Sequence, residues 1–204
     1  MNEHVGPKSF QLSRPPRPAP RAATAERRRF TIDDVEAMDR AGILDPEERV
    51  ELIDGEIITM AAKGARHEIV RTRLSQFWSK RAADDVFIAS EPAFKLAADN
   101  TPEPDIIVFP DALQVPDVRG DTVLLAVEIS DSSLSRDLKI KGPLYARFGV
   151  REYWVIDAET HETHVHREPG PEGYASTIVL PKSALLTPLL VPALAVRLAD
   201  LRLA

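Results

Sequence analysis

The sequence predicts an α/β (α+β) domain: a central mixed β-sheet flanked by α-helices, with an extra helix and hairpin on its N-terminal side. Three observations predict it. Residues 106–109 and, Glu128 apart, 123–129 are apolar over strand length, as strands covered on both faces are. A helical pattern follows them and leads into a third such run at 153–156, a strand–helix–strand order that calls for helices packed on a sheet. In 204 residues, 44% are apolar and 28% charged, enough apolar side chain to bury the core of one domain.

Along the chain, residues 1–29 alternate Pro7, Pro15, Pro16, Pro18 and Pro20 with Arg and Ala. Proline fixes φ and removes a donor, so this stretch reads as a disordered Pro/Arg-rich arm and residues 30–204 as the folded domain. Thr31 with Asp34 forms a capping box with Asp in place of Glu, opening a helix to about Arg40 that stops at Gly42. Asp54-Gly55 between two apolar runs gives a hairpin over 50–58. Ile69, Leu74, Phe77 and Trp78 recur at helical spacing, predicting a helix over 65–83.

Strands are expected at 86–89 and 93–96, with a turn at Asp99-Asn100, and then at 106–109 and 123–129. Residues 138–148 read as helix, with Pro143 placed in its first turn, so that the regular part starts near Gly142 and ends at Gly149. Strand 153–156 follows. Residues 163–165 and 174–179 are expected to pair across a Pro-Gly-rich loop, and the proline-broken C-terminal stretch to pack along the domain.

Composition excludes several chemistries. With no cysteine there is no disulfide, no thiolate-held zinc or iron–sulfur cluster, and no cysteine nucleophile, which fits a cytoplasmic protein. The longest apolar stretch, 184–196, has 13 residues and contains Pro188 and Pro192, where a spanning helix needs roughly 20. Neither a signal-peptide core nor a repeat is apparent. Nucleophile elbow, P-loop and dinucleotide fingerprint are missing as well. The net charge is −6, unevenly placed: residues 1–29 carry seven basic and two acidic groups, net +5, and the remainder carries 19 basic and 30 acidic groups, net −11. An acidic body repels nucleic acid unless metal ions or a local basic groove intervene.

Three carboxylates stand where burial is costly. Asp105 opens an apolar strand after Pro104, Glu128 lies near the end of another, and Glu51 sits inside the hairpin. Two carboxylates at adjacent strand ends repel unless a divalent cation lies between them, and all-oxygen ligation favours Mg²⁺ or Mn²⁺. Asp137, Lys141 and Tyr145 follow at i, i+4, i+8, on one face of a helix. That spacing suits either an Asp137–Lys141 ion pair or a Lys141 directed at the strand ends. His161, His164 and His166 read as edge-strand histidines, with metal binding the lesser alternative, and Tyr153 and Trp154 as core aromatics.

These residues occur in an order that resembles a known family. Glu51-Leu52-Ile53-Asp54-Gly55-Glu56, His67 opening a helix, Pro104-Asp105-Ile106, Val127-Glu128-Ile129-Ser130, Asp137-x-x-x-Lys141-x-x-x-Tyr145 and Gly149-Val150-Arg151-Glu152-Tyr153-Trp154 resemble the bacterial Uma-type restriction endonuclease domain of the PD-(D/E)xK superfamily. The resemblance runs from about Phe30 to the C-terminus. It implies a restriction-endonuclease-like fold and Mg²⁺-dependent phosphodiester hydrolysis in DNA. It also implies that Asp105, Glu128 and the backbone carbonyl of Ile129 ligate the metal, that Glu51 supplies an added acidic group, and that Lys141 replaces the superfamily lysine where this chain has Ser130. His67 and Tyr145 are then candidate substrate contacts. A homodimer is expected, as in nucleases that cut two strands. The alternative is a catalytically inactive nuclease-fold domain that acts as a binding module.

Overall fold

The computed structural model describes residues 27–203. Most of the expected N-terminal arm, residues 1–26, lies outside the described residues. Helix α1 (Ile32–Arg40) opens on the capping box expected from the sequence: Asp34 N–H donates to Thr31 Oγ1, and Asp34 Oδ2 accepts from Thr31 N–H at 2.9 Å. Strands β1 (Val50–Ile53) and β2 (Glu56–Thr59) form a two-stranded hairpin. Its two-residue turn needs positive φ at both positions, which Asp54 (49°) and Gly55 (72°) adopt.

Six further strands form one sheet in sequence order: β3 (Val86–Ser90), β4 (Ile106–Pro110), β5 (Leu125–Ser130), β6 (Glu152–Asp157), β7 (Thr163–Gly170) and β8 (Gly173–Leu180). All pairs are antiparallel except β5–β6, which is parallel, so the sheet is mixed. Alternation along the strands sorts the core onto two faces. Ile106, Val108, Leu125, Val127, Ile129 and Trp154 face helix α2 (Ala65–Ser79) and the C-terminal segment. Ile107, Phe109, Ala126, Tyr153 and Val155 face helix α4 (Gly142–Arg147). The strands β4, β5 and β6 are covered on both sides, which is why their sequences are continuously apolar.

Three expectations are corrected. Residues 93–96 form no strand. Phe94 N–H donates to Pro102 O and Leu96 N–H to Asn100 O, but Pro102 and Pro104 on the facing chain have no N–H to return, so no ladder propagates. Helix α2 ends at Ser79, short of residue 83, and its core face is Val70, Leu74 and Trp78; Ile69 is 40% exposed. Finally, His166 is buried rather than exposed on an edge, because β8 covers β7 on its outer side.

After β5 the chain is helical from Leu134 to Arg147 but changes pitch. A turn of α-helix, α3 (Leu134–Arg136), runs into a π-turn (Asp137–Lys141) and then into α4. Within the π-turn, Gly142 N–H bonds the carbonyl of Asp137, five residues back. Pro143 sits in the first turn of α4, as expected. It has no N–H and its ring would crowd a carbonyl four residues back, so the wider turn before it removes that clash. The C-terminal segment packs on the α2 face through Leu186, Leu194, Val196 and Leu198, where Trp78 Nε1 donates to Leu194 O at 2.7 Å. Among the described residues, no helix is long and apolar enough to cross a membrane.

Candidate active site

One end of the sheet, where β4 begins and β5 ends, opens into a cavity of about 130 Å³. Asp105, Glu128, Lys141, Asp137, His67 and Lys63 line it. Asp105 immediately precedes β4, and the β4–β5 register carried one position further sets it opposite Glu128, so both leave the sheet from the same end. Residue Asp105 is held on both oxygens. Its Oδ2 accepts the Ile129 backbone N–H at 2.7 Å, and its Oδ1 accepts Lys63 Nζ at 2.8 Å and lies 2.9 Å from His67 Nε2. Lys63 comes from the loop after β2 and also bonds Glu91; His67 comes from the first turn of α2.

Glu128 points the other way, towards the π-turn. Its Oε1 accepts Lys141 Nζ at 2.9 Å and Tyr145 OH at 3.0 Å. The same Lys141 ammonium lies 2.5 Å from Glu51 Oε1, and Glu51 Oε1 also accepts Glu103 N–H at 2.8 Å. Lys141 is therefore directed at the strand ends, and the alternative Asp137–Lys141 pair does not form. Asp137 turns to its own loop instead: Oδ2 accepts Ser130 Oγ at 2.6 Å and Ser133 Oγ at 2.5 Å. Ser130, at the superfamily's lysine position, thus serves as a donor to Asp137. The π-turn makes this divergence possible, since the extra residue between Asp137 and Gly142 rotates the two side chains apart.

Charge in the site is unbalanced. Glu51, Glu128, Asp137 and Lys141 are nearly fully buried, and Asp105 is 3% exposed. Burial, together with the neighbouring Asp105, Asp137 and Glu51 carboxylates, pushes Glu128 well above the usual carboxylate range, although Lys141 opposes the shift. Burial pushes Asp105 up too, but the hydrogen bonds and charges of His67 and Lys63 outweigh it and leave Asp105 below its ordinary value. For Lys141, burial favours the neutral amine, yet Glu128 and Glu51 hold the proton on it more firmly than usual. Burial and the Glu128 charge raise Tyr145 well above its normal value, so it acts as a donor.

The acceptors of the site suit a divalent cation. Glu128 Oε2 accepts no hydrogen bond from the described residues, and Asp105 Oδ2 accepts one, so each carboxylate retains lone pairs. Asp137 Oδ1 and Glu51 Oε2 are buried without a hydrogen-bond partner among the described residues. An all-oxygen, electron-rich set with unsatisfied acceptors fits a hard cation. Among the described residues, no group of three or more His, Asp or Glu side chains is gathered around one point, so such an ion would take the rest of its ligands from backbone carbonyl and water. His164 and His166 stack with ring centroids 6.4 Å apart, and His166 Nδ1 lies 2.9 Å from Thr177 Oγ1.

Of the residues singled out from sequence, Glu51, His67, Asp105, Glu128, Lys141 and Tyr145 come together here. Sequence reasoning missed Lys63, Glu91 and the serine cradle of Asp137. A lysine in an aperiodic loop carries no pattern; the one available signal was Ser130 and Ser133 at short spacing before Asp137.

A family model described as "Uma2: Putative restriction endonuclease" matches residues 32–200. The fold is similar to that of a crystal structure described as a putative nuclease from Anabaena variabilis, with a TM-score of 0.63 at 20% identity over 84% of this chain and 97% of that one. At that identity the likeness is one of fold. No curated protein matches the chain significantly.

Proposed function

The chain belongs to the Uma2 putative restriction endonuclease family, and on that premise we propose that it is a Mg²⁺-dependent endonuclease that hydrolyses phosphodiester bonds in DNA. The observation that carries this reading is the convergence of Asp105, Glu128 and Lys141, from two strand ends and a π-turn, on one cavity. Residues 30–204 would be the catalytic domain and residues 1–29 a basic arm. A homodimer would place one site against each strand. The lack of cysteine is compatible with work in a reducing cytoplasm.

Asp105, Glu128 and the Ile129 carbonyl are the groups that would hold Mg²⁺ or Mn²⁺. When bound, the ion supplies Lewis acidity to a phosphate oxygen and acidifies a water molecule. The protein's own residues do the positioning. The Ile129 N–H, Lys63 and His67 fix the Asp105 carboxylate in one orientation. Lys141 and Tyr145 fix Glu128 through Oε1 and leave Oε2 without a hydrogen bond from the described residues. Lys141 also places a permanent positive charge beside the reacting phosphate, where fixed dipoles and charges act strongly because water is excluded. Glu51 holds that ammonium from behind. Protonation of the leaving oxygen would fall to solvent.

The test is incubation of the purified protein with supercoiled plasmid and with single-stranded DNA, in Mg²⁺, in Mn²⁺ and in chelator, beside Asp105→Asn and Glu128→Gln. Metal-dependent cutting by the wild type that both variants lose is the expected result. Cutting that survives in the variants would remove these carboxylates from the mechanism. Folded wild type that cuts nothing would favour a nuclease-fold binding module.

A further inference from the structure

Helix α2 starts at the cavity with His67 and carries a second feature along its outer flank. Two adjoining depressions, of about 240 and 530 Å³, share Arg73, Gln76 and Arg202 and extend to Lys80 and Arg81. Arg73, Lys80, Arg81 and Arg202 are exposed, and none forms an ion pair with a described residue. Along α2 and the loop before it, the cations nearer the cavity are engaged: Arg66 with Asp131, Arg71 with Glu68, Lys63 with Asp105. Arg81 stacks on the Phe77 ring at 3.7 Å. On a protein of net charge −6, four cations without a carboxylate partner in one groove are not an average surface.

We propose that this groove binds the phosphate backbone of nucleic acid and leads it to the cavity at the start of α2; the proposal rests on the nuclease reading and names the surface that reading needs. The fifteen residues of α2 span ~22 Å. That is the rise of roughly six nucleotides of one strand, so the groove can follow a backbone over several phosphates. Its cations are long side chains on a helix and a C-terminal turn, suited to phosphate contact without base readout. The acidic groups bordering it are Glu68, already bound to Arg71, and Asp200. The groove therefore supplies the local basic surface that an otherwise acidic body lacks.

Fluorescence anisotropy with a short DNA duplex in chelator, over a salt series, reads binding without cleavage. The full chain is compared with the triple variant Arg73→Glu, Lys80→Glu, Arg202→Glu. A control triple, Lys95→Glu, Arg151→Glu, Lys182→Glu, changes net charge equally at exposed sites elsewhere. Circular dichroism confirms folding of each. The expected result is at least about tenfold weaker binding in the groove variant, with a log–log salt slope shallower by about 3. The control should bind much as the wild type. Equal losses in both triples, or wild-type affinity in the groove variant, would overturn the proposal. So would a wild type that ignores the duplex and binds polyglutamate, which would assign the groove to an acidic polypeptide. Cleavage is scored separately: duplex bound through the groove but never cut would sink the nuclease reading alone, and cutting at wild-type rate by the groove variant would sink the groove alone.

Discussion

Lys141 and Glu51 meet at 2.5 Å, with the ammonium 1% exposed and the carboxylate equally buried. One comes from the π-turn and the other from the N-terminal hairpin, so this ion pair, shared with Glu128, joins the hairpin to the sheet. Breaking such a pair leaves uncompensated buried charge, which is far more costly than the pair itself is stabilising. Lys141→Met is expected to destabilise the protein by ~3–5 kcal/mol, read from urea denaturation. Adding Glu51→Gln and Glu128→Gln to that variant should restore part of the loss. A loss below about 1 kcal/mol would mean that the three groups are not held together in solution.

The same surplus of carboxylate predicts stabilisation by a divalent cation. Binding to the native state alone raises stability by about 2.7 kcal/mol at a hundredfold excess over Kd. Mg²⁺ or Mn²⁺ should raise the thermal midpoint of the wild type, and Asp105→Asn and Glu128→Gln should respond much less. The effect should strengthen as pH rises. Glu128 is held above the ordinary carboxylate range, so a ligand that needs its ionised form must displace a proton. An identical response in the wild type and both variants would place the ion elsewhere.

Asp137 offers a local test of how the cavity wall is held. Its Oδ2 takes two serine hydroxyls while its Oδ1 has no hydrogen-bond partner among the described residues and only Arg136 Nε at 3.9 Å, so removing a donor leaves a buried carboxylate underserved. Ser133→Ala should cost about 1–3 kcal/mol in urea denaturation. Ser133→Thr, which keeps the hydroxyl, should cost less. Equal costs would mean that the hydroxyl is not what matters.

How much of this was legible follows the range of each signal. Thr31 and Asp34, and Asp54-Gly55, form their structures through bonds within a few residues, so the sequence displays them directly. The apolar runs of β4, β5 and β6 announce double-sided burial whatever covers them. Glu51, Asp105 and Glu128 were recognisable because carboxylates are anomalous beside such runs. Lys63 was not, because its partners Asp105 and Glu91 lie far along the chain and its own loop has no period. The failed strand at 93–96 shows the same limit from the other side: its apolar residues suit a strand, but prolines on the facing segment forbid the ladder. The π-turn is an effect of Pro143 on the helix before it, and helical spacing alone left open whether Lys141 pairs with Asp137 or faces the strand ends, as it does.

Lys63 predicts an effect on the pH dependence of cleavage. Burial raises Asp105, and His67 and Lys63 reverse the shift, so the carboxylate stays ionised to lower pH than an unassisted one. Lys63→Met removes one of the two side-chain partners of Asp105 Oδ1. The acid limb of the pH–rate profile should then move to higher pH, with activity above it recovering toward the wild-type level. A uniform loss at every pH would instead indicate that Lys63 acts on substrate.

His166 gives a stability effect of known sign, away from the cavity. Burial, with His164 beside it, lowers its pKa to about 4, and its Nε2 is buried without a partner. The unfolded chain titrates this imidazole near 6.5, so between those values the unfolded state binds more protons. The contribution is fully present above about pH 6.5 and is lost as pH falls toward 4. His166→Phe preserves a ring to pack on Tyr153, whose centroid lies 5.6 Å away, and leaves the exposed Thr177 hydroxyl to water. The wild-type thermal midpoint should therefore fall more steeply than that of the variant across this window, while the carboxylates common to both contribute equally. Parallel pH profiles would show that His166 is not buried neutral in the native state.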